Sequence, residues 1–160
     1  MAESRVGFGY DVHKLVAGKP LILGGVRILS PYGLEGHSDA DVLLHAITDG
    51  VLGAAGKRDI GFYFPNTNPK WEGASSLEFL RQAVEVVSED GWSVVNIDST
   101  VVAEVPKIQP HIDKMKETLA PVLRVSVEAC GIKATTNETL GFIGRGEGMA
   151  AFAVALLARE

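Results

Sequence analysis

The chain closes on Gly148-Met-Ala-Ala-Phe-Ala-Val-Ala-Leu-Leu-Ala158, and the fold is read outward from this stretch. It is almost continuously apolar, which predicts a strand with both faces covered. Upstream, Cys130–Thr136 reads as another strand. Val94–Val105 alternates, with Val95, Ile97, Val101, Ala103 and Val105 on one side and Asn96, Asp98, Thr100 and Glu104 on the other. That is the pattern of a long, half-buried strand. Val6–Tyr10 predicts a short strand and Leu21–Ile28 a second, joined as a hairpin through Ala17-Gly18, with Gly24-Gly25 marking a bulge or close approach.

Helices fill the intervals. One is predicted from about Asp39 to Ala55, with Ser38 as N-cap and Asp41 as the acidic third residue. Residues 57–75 are punctuated by Gly61, Pro65, Asn66, Asn68, Pro69 and Gly73 and read as loop. Ser76–Glu89 turns Leu77, Leu80, Val84 and Val87 to one face, pairs Arg81 with Glu85 outside and ends near Gly91. After Pro106 a helix carries Ile112, Met115 and Leu119 inward until Pro121 ends or kinks it. The order β-β-α-α-β-α-β-β predicts an α/β (α+β) fold over residues 1–160: one domain, a two-layer sandwich of a mixed sheet with helices on one face. No helix is left for the other face, so a partner subunit is expected there.

Composition narrows the function. The 160 residues carry 15 Lys+Arg against 20 Asp+Glu, a formal charge of -5, with no basic run. Nucleic acid is therefore not the expected partner, because phosphate neutralisation supplies most of that affinity. The single Cys130 excludes an intrachain disulfide and a cysteine-rich zinc module, and a buried thiol is expected. No stretch approaches ~20 apolar residues, so no membrane helix is expected. The start, Met1-Ala-Glu-Ser-Arg5, does not resemble a signal peptide.

Two segments concentrate chemistry. In Asp11-Val12-His13 the outer residues point the same way along extended chain. On the first helix Asp41, His45 and Asp49 share one face, opposite Val42, Leu43, Leu44, Ile47 and Val51. Each alone reads equally as a solvated polar face. Together, two imidazoles and a carboxylate suit a catalytic zinc site with an open fourth position, and Asp41 or Asp49 would orient His45. His37-Ser38 stands where free N–H groups open that helix, as cap or anion site. Lys133–Gly148 carries hydroxyls, Glu138 and four closely spaced glycines, either a plain glycine-rich connection or a phosphate and Mg²⁺ site. Lys107 is a surface lysine or a phosphate contact. Phe64, Trp71 and Trp92 are expected to pack rather than stack on a base.

Taken in order, Gly9-Tyr-Asp-Val-His13, His37-Ser-Asp-Ala-Asp-Val42, Leu44-His-Ala46, Asp59-Ile-Gly61, Phe64-Pro65, Pro106-Lys107, Pro110-His111, Lys133-Ala-Thr-Thr136 and Gly141-Phe-Ile-Gly-Arg-Gly-Glu-Gly148 resemble the 2-C-methyl-D-erythritol 2,4-cyclodiphosphate synthase family of the non-mevalonate isoprenoid pathway. The resemblance implies a phosphorus–oxygen lyase acting on 4-diphosphocytidyl-2-C-methyl-D-erythritol 2-phosphate, whose 2-phosphate attacks the β-phosphorus and expels CMP. It implies zinc on Asp11, His13 and His45, with Glu138 helping to hold a second cation, Mg²⁺ or Mn²⁺. His37 and Thr136 would stabilise the transition state. Substrate contacts would run over Asp11, His13, His37, Ser38, Asp59, Ile60, Gly61, Phe64, Pro65, Asn66, Thr67 and Asn68. The cytidine diphosphate part would meet Ala103, Glu104, Val105, Pro106, Lys107, Ile108, Gln109, Thr135, Thr136, Asn137 and Glu138. The resemblance further implies a homotrimer with active sites between subunits. Phe142 and Arg145 would line a central cavity able to take an isoprenoid diphosphate. The expected location is a bacterial cytoplasm, or a plastid after loss of a transit peptide. Ala40 departs from the family's usual Gly, Asn66 and Asn68 from its Asp-Thr-Asp, and Asn137 from a common Thr. The residues alone leave two other readings open, a metal-dependent phosphodiesterase and a non-catalytic nucleotide-binding trimer.

Overall fold

The structure, a computed structural model, describes residues 2–160. The first strand, β1 (Glu3–Ala17), is three times the length predicted and runs straight through the Asp11-Val12-His13 segment. It pairs antiparallel with β4 (Tyr32–Leu34) at one end and with β7 (Gly148–Arg159) along most of its length. On the far side of β7 lies antiparallel β5 (Ser93–Val102), then parallel β6 (Cys130–Thr135). The sheet order β4-β1-β7-β5-β6 is mixed, with β7 at its centre; only its inner face is covered in this chain, since Phe152 and Val154 stand exposed on the other.

The predicted first hairpin is wrong. β2 (Leu21–Leu23) and β3 (Val26–Ile28) pair with each other in a separate small sheet, and Gly24-Gly25 is the turn between them. Both glycines sit at positive φ (57° and 74°), where a side chain is disfavoured. β4, which the sequence did not reveal, takes the place beside β1.

Helix α1 (Val42–Ala54) is shorter than the predicted 39–55 and buries almost every side chain. The 57–75 segment is not all loop: α2 (Ile60–Tyr63) and a short turn at Pro69–Trp71 interrupt it. α3 (Ser76–Glu89) has the predicted limits, and buries Phe79, Leu80, Ala83, Val84 and Val87 while Leu77 is half-buried. Arg81 pairs with Glu78 rather than Glu85, which reaches Arg124. α4 (Ile112–Leu123) buries Met115 and Leu119, and Pro121 sits in its last turn before Arg124 closes it in the left-handed region. α5 (Gly141–Gly144) precedes β7. In β5, Val95 is exposed because the register against β7 shifts between Val94 and Asn96. Val105 lies beyond the strand, also exposed.

One core cluster joins α1, α3, α4 and the inner sheet face, including Trp92, Ile97, Val101 and the buried Cys130. The other face of β1 and β7 carries Val6, Phe8, Tyr10, Val12, Phe152 and Val154, all exposed. Phe152 packs beside Tyr10 and Phe8 there. No helix among the described residues is long and apolar enough to cross a membrane.

Candidate active site

Along β1 the inner face reads Gly7, Gly9, Asp11, His13, because side chains two apart share a face. A Cβ on Gly7 would stand 2.0 Å from the Gly50 carbonyl oxygen, and one on Gly9 1.8 Å from that of Ala46. Glycine at both positions lets α1 lie directly on the strand. Where the glycines stop, Asp11 and His13 begin, and His45 of α1 meets them.

His13 Nε2 lies 2.8 Å and His45 Nδ1 3.0 Å from Asp11 Oδ2, and the two ring nitrogens are 3.2 Å apart. One ligand atom from each of the three residues lies within 4.8 Å of the others. A carboxylate oxygen and two imidazole nitrogens turned on one point form a donor set that suits a divalent cation. The outer ring atoms are held too. His13 Nδ1 is 2.7 Å from the Glu35 carbonyl and can only donate to it, which leaves Nε2 as the lone-pair atom.

The electrostatics follow. Burial pushes the Asp11 carboxyl up, but hydrogen bonds and charge from the protonated forms of His13 and His45 outweigh it and bring Asp11 down to about 2. Burial pulls His13 down, yet the Asp11 carboxylate, helped by the Glu35 carbonyl and Asp41, raises it above the ordinary histidine value. The site thus favours positive charge at its centre.

Neither residue expected to orient His45 does so. Asp41 is the N-cap of α1 and fully buried. Its Oδ1 accepts the N–H groups of Gly24 (3.0 Å) and Leu44 (3.1 Å), and its Oδ2 that of Gly25 (2.7 Å). It therefore pins the β2–β3 turn to the helix start; burial pushes it up to about 6. Asp49 accepts the Ile60 N–H at 2.8 Å. The partners of His45 Nε2 are Ser76 Oγ at 2.9 Å and Ser38 Oγ at 3.2 Å. Ser38 is thus no helix cap. Ser76 was missed, and its only local signal, a serine pair opening a helix, reads as capping. Ala40, between Ser38 and Asp41, has φ 57°, the left-handed region in which glycine is at ease.

A cavity of about 430 Å³ opens beside this cluster. Phe64, Trp71 and Phe79 form an apolar wall: Phe64 stacks on Phe79 at 4.5 Å and Trp71 stands edge-on to both. His13, His37, Ser38 and His45 form a polar side, and Ile60, Gly61, Pro65, Asn66 and Thr67 complete the rim. Asn68 stands behind it. Its carbonyl lies 3.1 Å from His37 Nε2, and its side chain accepts the Lys70 N–H. Asp59 is the N-cap of α2.

A second cavity, about 560 Å³, is lined by Ala103, Glu104, Pro106, Lys107, Ile108, Gln109, Thr135 and Thr136. Glu104 Oε1 accepts the N–H groups of Asn137 (3.2 Å) and Thr139 (2.9 Å), fixing the turn after β6. Glu138 in that turn is exposed and is not part of the Asp11–His13–His45 group. Phe142 lies beside Val12, His13 and Lys14 at a smaller recess of about 380 Å³, and Arg145 is paired with Glu147 at 3.0 Å.

The YgbB family profile matches residues 4–158. The chain belongs to the YgbB family. The 2-C-methyl-D-erythritol 2,4-cyclodiphosphate synthase of Symbiobacterium thermophilum is 60% identical over 153 residues, covering 96% of this chain and 98% of that one. The Synechococcus elongatus enzyme of that name is 55% identical over 160 residues, the whole of both chains. Among solved structures, the bifunctional IspDF of Campylobacter jejuni matches all of this chain and 43% of its own, at 43% identity and TM-score 0.96. A CDP complex of Plasmodium falciparum IspF matches 98% of this chain and 97% of its own, at 35% identity and TM-score 0.86. The family expected from the spaced motifs is the one found, and the mixed α+β fold with a curled sheet matches these solved structures.

Proposed function

We infer that the chain is the lyase its relatives are named for, closing 4-diphosphocytidyl-2-C-methyl-D-erythritol 2-phosphate to 2-C-methyl-D-erythritol 2,4-cyclodiphosphate with release of CMP. The observation that carries this reading is the Asp11–His13–His45 cluster opening on a cavity with an aromatic wall and a polar rim. The wall of Phe64, Trp71 and Phe79 suits a methylated carbon skeleton, and His37 and Ser38 suit its phosphate. Ser38 Oγ accepts the Ala40 N–H and faces His45 Nε2, so its own proton is free for an anion in the cavity. The second cavity, with Lys107 at its edge and Thr135 and Thr136 opposite, suits a cytidine diphosphate.

The donor set fits zinc, held by Asp11, His13 and His45. When bound, zinc supplies Lewis-acid polarisation and charge neutralisation at phosphate oxygens. The chain's own residues do the rest. They hold one molecule bent so that its 2-phosphate oxygen forms a bond to the β-phosphorus while the anhydride bond to CMP breaks. Both reacting groups belong to one substrate, so positioning is most of the catalysis. Thr136, whose Oγ1 accepts the Glu138 N–H and keeps its own proton free, donates to developing charge; His37, held through Nε2 by the Asn68 carbonyl, stands beside that charge, and Lys107 offsets the departing phosphate. Glu138, exposed on its turn, is available to a second cation, Mg²⁺ or Mn²⁺.

The two cavities lie on different parts of one chain. A homotrimer joining one chain's nucleotide cavity to its neighbour's cation cluster reconciles them. The open apolar face of β1 and β7 supports such an assembly, as the covered outer face of a two-layer sandwich, with Phe142 and Arg145 beside a central cavity for an isoprenoid diphosphate.

Incubation with substrate, zinc and Mg²⁺ in ¹⁸O-water, followed by ³¹P NMR, tests the reading. CMP and a cyclic diphosphate without solvent oxygen are expected. Solvent ¹⁸O in the product means a phosphodiesterase instead. Tight CDP binding without turnover means a binding protein.

A further inference from the structure

His45 presents Nδ1 to Asp11 and His13 and turns Nε2 away toward two hydroxyls. Those hydroxyls differ. Ser76 is fully buried at the start of α3, and both of its donors go to the Asp39 carboxylate. Its N–H donates to Oδ2 at 3.1 Å, and its hydroxyl donates to Oδ1. The Asp41 N–H adds a third donor to Oδ1 at 3.2 Å. A carboxylate oxygen accepts, so the Ser76 proton points to Asp39 and only the oxygen lone pairs face His45. His45 Nε2 must then donate. A neutral imidazole carries one N–H, so Nδ1 keeps its lone pair. Ser38 accepts the Ala40 N–H and, among the described residues, donates to no carboxylate, so none of them fixes its proton.

We propose that Asp39 and Ser76 are positioning residues, a carboxylate–hydroxyl–imidazole chain that fixes the His45 tautomer so that Nδ1 can ligate a divalent cation. The inference rests on reading Asp11, His13 and His45 as a cation site. It also explains why a serine opening α3 reaches across to a histidine of α1: the chain locks two helices at the angle the ligand needs. Partners of ligating histidines that sit behind the ring typically change metal affinity by about 10–100-fold.

The test is cobalt(II) and zinc affinity, measured by chelator competition on the full chain and on Ser76→Ala, Asp39→Asn and Ser38→Ala. Melting of each metal-free variant separates loss of fold from loss of ligation. Ser76→Ala removes one buried oxygen. Asp39→Asn keeps the side chain's shape, and serves if Ser76→Ala does not fold. Affinity is expected to fall about 10–100-fold in both and less than about threefold in Ser38→Ala. In the cobalt-loaded parent, the His45 Nε2 proton is expected as a paramagnetically shifted resonance slow to exchange with water, and Ser76→Ala is expected to lose it to exchange. Parent-like affinity in Ser76→Ala and Asp39→Asn, or an equal loss in Ser38→Ala, overturns the proposal. A parent chain that binds neither cation overturns the cluster reading itself.

Discussion

Replacing Gly9 by alanine sets a methyl group 1.8 Å from the Ala46 carbonyl oxygen, 2.7 Å from its carbon and 2.9 Å from the Gly50 nitrogen. All three are backbone atoms of α1, so no side chain can rotate away. Ordinary contact begins at 3.4 Å, so strand and helix must part locally by about 1.6 Å. Overpacking a core costs ~1–3 kcal/mol and sometimes more, and a rigid backbone obstacle puts Gly9→Ala near ~3 kcal/mol. At this chain length that is roughly 6–12 °C of melting temperature. The displaced helix carries His45, whereas ligand distances tolerate only ~0.2 Å, so zinc affinity should fall at least ~100-fold in molecules that fold. Gly53→Ala, on the same helix, is the control. Its nearest neighbour is the Phe8 oxygen at 3.9 Å, so alanine there should stabilise by ~0.5–1 kcal/mol through helix propensity. Urea unfolding of metal-free protein, with zinc competition alongside, reads both. If Gly9→Ala unfolds within ~1 kcal/mol of the parent and binds zinc as well, the close strand–helix approach is not what builds the site.

Other outcomes follow from the same geometry. His13→Ala and His45→Ala should each lose cation binding and CMP release together, checked by metal analysis and ³¹P NMR; turnover surviving in both excludes the proposed chemistry. Because Asp11 raises His13, a proton competes with the cation, so affinity should drop as pH falls through and below the raised His13 value, with protons released on binding. Calorimetry in buffers of different ionisation enthalpy measures that release, and its absence at pH 6, below the raised His13 value, contradicts the pairing. Asp41→Ala leaves two buried N–H groups and one half-buried one without that acceptor and should cost ~3–5 kcal/mol by urea unfolding. The folded pKa of Asp41, about 6, lies above the ordinary 3.8, so its contribution to stability is present below pH 4 and lost as pH rises through about 6. The melting temperature of Asp41→Asn should depend less on pH across that window.

The apolar run of β7 and the helical spacing of α3 made the centre of the sheet and one helix legible in the sequence. The site was legible because Asp11 and His13 obey the two-residue period and His45 stands one turn into a helix. The length of β1 was not, since exposed Val6, Phe8, Tyr10 and Val12 alternate with glycines rather than with an apolar inner row. Those glycines were themselves the signal: a face reading Gly, Gly, Asp, His announces a helix seated on the backbone and ligands just past it. The β2–β3 hairpin was misread because its Gly-Gly turn also fits a bulge, and the choice is made by Asp41, a residue on the other side of the chain. Ser76 and Asp39 lie far apart in sequence; Asp39 closes a local turn onto the Asp41 N–H, and Ser76 follows the α3 cap, Ser75. Only the packing of α3 against α1 brings them behind His45.

The account stands on three side chains closing around one cation, and a crystal of the zinc-loaded protein measured by anomalous scattering at the zinc edge tests it most directly. The account predicts a single strong site per chain, with Asp11 Oδ2, His13 Nε2 and His45 Nδ1 at about 2.0–2.2 Å and a fourth position facing the aromatic-walled cavity. Zinc bound elsewhere, or bound through His45 Nε2 instead, contradicts it.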